Sequence, residues 1–226
     1  MSAGAAASAG GELRFLFDFL SPYAYLAWTR IHGIADAHGR RVVPVPVLFA
    51  GLLEAHGTRG PAEVEAKRRY LVHDIQRIAH AWGVPIAAPR AIPFRSLTAL
   101  RLATLPLSPD TRRALIDRLY AGAWVRGEDV TDRDVLARIA AEVGAGEDAL
   151  ERAEAPEIKD ALRRATEAAV ADGVFGVPTV LVDGEMFWGC DALPHLERFL
   201  AGERAIDPAP MVAFARVPVG ARRRGS

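Results

Sequence analysis

Leu13-Arg14-Phe15-Leu16-Phe17-Asp18-Phe19-Leu20-Ser21-Pro22-Tyr23-Ala24-Tyr25-Leu26-Ala27-Trp28 is the stretch that decides the fold. Residues 13–20 form a dense apolar run with three phenylalanines and read as a buried strand. Ser21-Pro22 then marks a helix start. A serine at the N-cap accepts a bond from an otherwise orphaned backbone N–H, and proline at the first helical position gives up a donor that had no partner. The helix is expected to run to about His38, with Gly39 as its stop. Far downstream, Gly176-Val177-Pro178-Thr179-Val180-Leu181-Val182-Asp183-Gly184 forms a second strand, entered through Val-Pro-Thr and closed by a hairpin signal.

Working outward, Val42–Val47 is β-like but carries Pro44 and Pro46, which confines it to a sheet edge. From about Phe49 to Ala171 nearly every segment has helical periodicity: 61–82, 96–105, 109–125 after Ser108, 131–143, 147–153 and 156–171. Glu185–Trp188 makes a short return strand, and Asp191 is read as the cap of a last helix over 192–200. The order is β-α-β, a helical block, then β-β-α. That is the outline of an α/β, thioredoxin-like fold with a large all-helical insertion. The corresponding division is a disordered N-terminus over 1–11, a thioredoxin-like domain in two segments (12–48 and 172–203), an inserted helical domain over 49–171, and a C-terminal tail without clear period over 204–226. In a redox thioredoxin a cysteine stands where this chain has Ser21.

Half of the 226 residues are hydrophobic, enough for a substantial core, and 28 basic residues balance 28 acidic ones. A neutral chain lacks the positive field a nucleic-acid partner favours. Its one basic cluster, Arg222-Arg223-Arg224, reads as a solvated tail. The single cysteine, Cys190, cannot form an internal disulfide, which disfavours the oxidised secreted class. The Ala/Gly/Ser-rich start lacks the basic and Leu-rich regions of a signal peptide, and no apolar run approaches the ~20 residues of a membrane span. A cytoplasmic protein with no membrane partner is the expectation. The six histidines show neither HExxH nor pairing with cysteine, so no metal is expected.

Ser21 is at least a good N-cap. Alternatively its hydroxyl and the helix N-terminus hold an anion, and a thiolate suits such a site. A free thiol has a pKa of ~8.5, and lowering it by about two units requires ~2.7 kcal/mol. A helix N-terminus supplies ~0.3–2 kcal/mol and a hydroxyl bond to charged sulfur ~1.5–3 kcal/mol, so together they suffice without a base. Val177-Pro178 is either a rigid strand entry or a cis peptide that turns the N–H and C=O of Val177 toward the helix N-terminus. In Trp188-Gly189-Cys190-Asp191, Asp191 could be a cap or could accept from an ammonium group, and Cys190 is read as a packed residue rather than a nucleophile. Lys67 stands on the long helix, where most lysines line a solvated face.

Taken together, Phe17–Ala27, Ala66-Lys67-Arg68-Arg69-Tyr70, Gly173–Thr179 and Phe187–Asp191 resemble the 2-hydroxychromene-2-carboxylate isomerases, relatives of kappa-class glutathione transferases and of DsbA-like oxidoreductases. The resemblance runs from about Arg14 to Leu200. It implies a homodimer that uses glutathione on a small aromatic carboxylate, with Ser21 at the sulfur and Val177, before a cis Pro178, on the glutathione backbone. It further implies that Trp188, Gly189, Cys190 and Asp191 hold the γ-glutamyl end, and that Lys67 lies near the glycine carboxylate or the acidic substrate. Thr58 stands where many relatives carry asparagine, and Phe94-Arg95-Ser96 replaces another. Arg95 remains a candidate for a substrate carboxylate. A kappa-like transferase or peroxidase, and a thioredoxin-fold module that grips extended peptides beside Pro178, are the alternatives. The absence of Cys-x-x-Cys argues against a dithiol oxidoreductase.

Overall fold

A computed structural model describes residues 11–203, 208–218 and 220. The central strand is β1 (Glu12–Phe17), and α1 (Pro22–Ala37) follows it. Next come β2 (Arg41–Pro46), α2 (Phe49–Ala55), a 3₁₀ turn at Pro61–Glu63 and α3 (Glu65–Trp82). The helices α4 (Leu97–Thr104), α5 (Pro109–Trp124), α6 (Arg133–Glu142), α7 (Ala149–Ala153) and α8 (Pro156–Ala171) complete the block between β2 and β3. β3 (Thr179–Val182), β4 (Glu185–Trp188), a 3₁₀ turn at Cys190–Ala192 and α9 (Leu193–Leu200) return to the sheet, and α10 (Pro208–Ala215) comes last.

The sheet order is β2-β1-β3-β4. β1 runs parallel to β2, with Glu12 opposite Arg41 and Phe17 opposite Pro46, and antiparallel to β3, with Leu16 opposite Thr179. β2 is an edge strand, which is where its two prolines can be tolerated. Asp183 and Gly184 take positive φ values of 48° and 84°, the geometry of the expected two-residue hairpin turn. The β3–β4 pairing from Thr179–Trp188 to Val182–Glu185 is set by that turn.

The core is continuous from the sheet into the helical block. Phe15, Phe17 and Phe19 are fully buried. Phe17 and Phe19 approach Tyr120 of α5 at ring-centroid distances of 6.0 and 5.0 Å. Trp124 Nε1 donates to the Phe19 carbonyl at 2.8 Å. On the other side of the sheet, Leu16, Val47, Leu52, Ala169, Val174 and Val177 form a smaller apolar cluster.

Several sequence expectations change. β1 stops at Phe17 rather than Leu20, because the Asp18 carboxylate accepts from Leu20 N and the Asp18 carbonyl from Ser21 N, closing a turn. The helix expected over 61–82 is broken at Val64, whose φ and ψ of −106° and 114° are extended. Asp191 does not cap the last helix. It lies inside the 3₁₀ turn, and α9 starts after Ala192 with no side-chain cap. Residues 208–215 form α10 without a legible sequence period, since an apolar segment without a polar face has none to display. The basic cluster and residues 1–10 lie outside the described residues.

Candidate functional site

Ser21 caps α1 in the expected way. Its backbone is extended, its Oγ accepts from Ala24 N at 3.2 Å, and Pro22 sits in the first turn. The same hydroxyl donates to the Val177 carbonyl at 3.3 Å across 156 residues of sequence. Ser21 is 6% exposed. The Val177–Pro178 bond is cis, and so is Ile92–Pro93, which nothing in the sequence singles out. Among the described residues the Val177 amide has no hydrogen-bond partner. The helix start and the Val-Pro segment therefore meet, with an unused donor beside them.

The third segment is tied to the same place. Gly189 N donates to the Pro178 carbonyl at 2.9 Å, and Thr179 Oγ1 closes the turn by donating to Gly176 O at 2.7 Å. Gly189 has φ +92°, and a side chain there would run into the Asp191 carboxylate. Gly176 is needed for a different reason: a Cβ on it would lie 2.5 Å from Trp188 Nε1. The Trp188 indole packs over that glycine and against Phe175, with ring centroids 4.8 Å apart, and both aromatic rings are about half exposed. Cys190 is buried. Desolvation, then the Asp191 and Asp74 charges, push its thiol up to about 12, which makes it a packed residue rather than a nucleophile.

Asp74, a residue with little signal in the sequence, joins this cluster. Tyr23 Oη donates to Asp74 Oδ2 at 2.8 Å, while Tyr70 Oη reaches Asp74 Oδ1 at 3.4 Å. Burial and then the Asp74 carboxylate raise the Tyr23 hydroxyl above its ordinary value. Asp74 thus fastens α3 to the first turn of α1, and its charge acts on the Cys190 thiol. Its only sequence signal is its helical spacing from Tyr70.

Beneath the turn lies Asp18, fully buried. Its Oδ1 accepts from Leu20 N at 3.2 Å and its Oδ2 from Phe49 N at 3.0 Å. Burial pushes its carboxyl up to about 6 from 3.8. The Ser96 hydroxyl and the Phe49, Leu20 and Phe19 amides pull it part of the way back. Ser96 Oγ acts on the Asp18 carboxyl but, like Tyr120 Oη, is buried without a hydrogen-bond partner.

The remaining sequence candidates, Lys67, Thr58 and Arg95, make no hydrogen bond to the Ser21 cluster. Lys67 is exposed in the first turn of α3, Thr58 is exposed in the loop after α2, and Arg95 is exposed just before α4. Among the described residues none of the three side chains makes a hydrogen bond or ion pair, and no cluster of side chains there could hold a metal ion. No helix among them is long and apolar enough to cross a membrane.

Residues 12–201 match the DSBA-like thioredoxin domain family. The 2-hydroxychromene-2-carboxylate isomerase of Sphingobium xenophagum is 32% identical over 189 residues, covering 82% of this chain and 96% of the relative. Human glutathione S-transferase kappa 1 is 28% identical over 220 residues, covering 91% and 97%. The solved structure of a 2-hydroxychromene-2-carboxylate isomerase superposes with a TM-score of 0.78 at 25% identity, over 91% of this chain and all of that one. The disulfide reductase DsbM of Pseudomonas aeruginosa, solved with GSH, shares the fold at a TM-score of 0.61 and 19% identity, over 86% of this chain and 100% of that one. With its Ser21 start of α1, its cis Val177–Pro178 and its Trp188–Asp191 turn joined in one place, the chain belongs to the DsbA-like thioredoxin family, among relatives named 2-hydroxychromene-2-carboxylate isomerase and kappa glutathione transferase.

Proposed function

We propose that this protein is a glutathione-dependent isomerase of the 2-hydroxychromene-2-carboxylate type, interconverting that acid with trans-o-hydroxybenzylidenepyruvate in aromatic catabolism. The observation that carries the reading is the meeting of the Ser21 hydroxyl with Val177 beside an unused amide, in a chain that has no thiol able to serve there. The donor set fits a tripeptide thiol. Val177 offers an N–H and a C=O to a peptide-like backbone, the 189–191 turn offers Asp191 to an ammonium group, and the start of α1 offers its positive end to sulfur. When bound, glutathione supplies a nucleophilic sulfur whose reversible addition to a conjugated carbon turns a double bond into a single one, so that the geometry can change.

The chain's own groups prepare that step. Ser21 Oγ exchanges its bond to the Val177 carbonyl for one to the sulfur, while it still accepts from Ala24 N and so keeps α1 capped. The first-turn amides of α1 favour the ionised form. Lys67, Arg95 and the Thr58 hydroxyl are the candidates for the substrate's acidic and polar groups, and as exposed side chains they are free to move toward it. The protein is expected to work as a homodimer in the cytoplasm, the former being checked by sedimentation.

The test tracks the absorbance of a hydroxychromene carboxylate with and without glutathione. A change that requires both protein and glutathione is expected, and its absence removes the isomerase assignment. A kappa-like transferase is the second reading, favoured by the near full-length match to the human kappa enzyme. It requires consumption of glutathione by an electrophile, where the isomerase leaves the glutathione concentration unchanged. A peptide-gripping module would show no thermal shift with glutathione.

A further inference from the structure

Asp18 is an acid that the proposed chemistry does not use. It is fully buried, and no cation is among the groups that act on its carboxyl. Burying an unpaired carboxylate is unfavourable, and an asparagine or serine could close the same turn. Its surroundings come from four places in the chain: the Phe19 and Leu20 amides of the site turn, the Phe49 amide at the start of α2, the Ser96 hydroxyl at the start of α4, and Tyr120 of α5. Tyr120 is the only titratable group among them. The Asp18 carbonyl also accepts from Ser21 N at 3.1 Å, so this one residue bonds both ends of the turn that delivers Ser21.

Both neighbouring hydroxyls, Ser96 Oγ and Tyr120 Oη, are buried, and neither has a hydrogen-bond partner. A hydroxyl can donate or accept. The ionised carboxylate can take bonds from both, and the protonated acid can give one to either, so the pocket accommodates both states. We propose that Asp18 is a positioning residue for Ser21, a buried proton-exchanging joint through which the helical block sets the start of α1. Gaining a proton costs the carboxyl one acceptor position, which loosens its hold on Leu20 or Phe49 and shifts the turn. Burial, opposed only by amides and hydroxyls, puts this exchange at about 6. Its consequence for ligand binding rests on the glutathione reading above, whereas the joint itself does not.

Amide NMR of the ligand-free protein, titrated between about pH 4.5 and about pH 8 to bracket ordinary and raised carboxyl values, tests the joint. The Leu20, Ser21 and Phe49 amides should share one inflection near 6, absent in Asp18→Asn. Calorimetry should show glutathione affinity passing through the same inflection. In Asp18→Asn it should be flat and weaker by about tenfold, the worth of one hydrogen bond to a charged group. If Asp18→Asn does not fold, Ser96→Ala and Tyr120→Phe each remove a buried hydroxyl available to the ionised carboxylate and should move the inflection upward. A Ser21 amide that does not titrate, or that titrates unchanged in these variants, overturns the proposal. Shared amide inflections without any glutathione binding would uphold the joint and sink the glutathione reading instead.

Discussion

At the scale of single residues, the candidate site rests on what two glycines leave out. Gly176 has no Cβ because the Trp188 indole nitrogen occupies its place. In Gly176→Ala the indole must swing off Phe175. Trp188 is half exposed, so fold stability should change by less than about 1 kcal/mol. Glutathione affinity should fall several-fold, and tryptophan fluorescence should report the displaced ring. Cys190 makes the opposite kind of prediction. With its thiol pushed up to about 12 and its side chain buried, it should resist alkylation in the native protein at mildly alkaline pH and react only on unfolding. Rapid native labelling would show that Cys190 is open to chemistry after all. The residue types at this site are legible in the sequence because each acts locally, a serine before proline and a glycine before a turn. Asp18 and Asp74 are not, because their partners, Phe49 and Tyr23, lie 31 and 51 residues away.

At the scale of elements, local signals succeed wherever a helix start depends on its own side chain. Ser108 accepts from Thr111 N, and Asp132 from Asp134 N and Val135 N, as N-caps should. They fail where tertiary contacts take over. Ser96 precedes α4 but caps nothing; its hydroxyl is buried without a hydrogen-bond partner and acts on Asp18 instead. The bidentate pairing of Arg40 with Asp183, at 3.3 and 2.7 Å across 143 residues, likewise has no local trace. The α5–α6 pair is joined by Arg118, which bonds Glu128 at 2.5 and 2.9 Å and Glu142 at 2.7 Å. The Arg118 hydrogen bond, working against burial, holds the Glu128 carboxyl at about 2, below its ordinary 4.5. A carboxyl depressed by folding stabilises the protein fully above its unfolded value, and that contribution disappears as pH falls from 4.5 through about 2. Glu128→Gln should therefore lower stability at neutral pH by about 1–3 kcal/mol and flatten the acid limb of a denaturation-versus-pH curve. An unchanged acid limb would mean that the pair contributes nothing.

At the scale of the whole molecule, the chain brings its first strand, its late Val-Pro segment and its last hairpin together around β1, with the helical block between β2 and β3 in sequence and a continuous core in space. The order of elements is readable because hydrophobic period and helix punctuation are local. The convergence of Ser21 with Val177 is readable only through resemblance, since 156 residues separate them. On the proposed function, that convergence is a thiol site with no thiol of its own. The most direct measurement is the pKa of glutathione bound to the protein, read from thiolate absorbance against pH, beside that of Ser21→Ala. The expected value is about two units below the ~8.5 of a free thiol. In Ser21→Ala it should rise by about one to two units, the worth of a hydroxyl bond to charged sulfur. A bound thiol that ionises like the free one, or a depressed value unaltered by Ser21→Ala, would contradict the role given to Ser21.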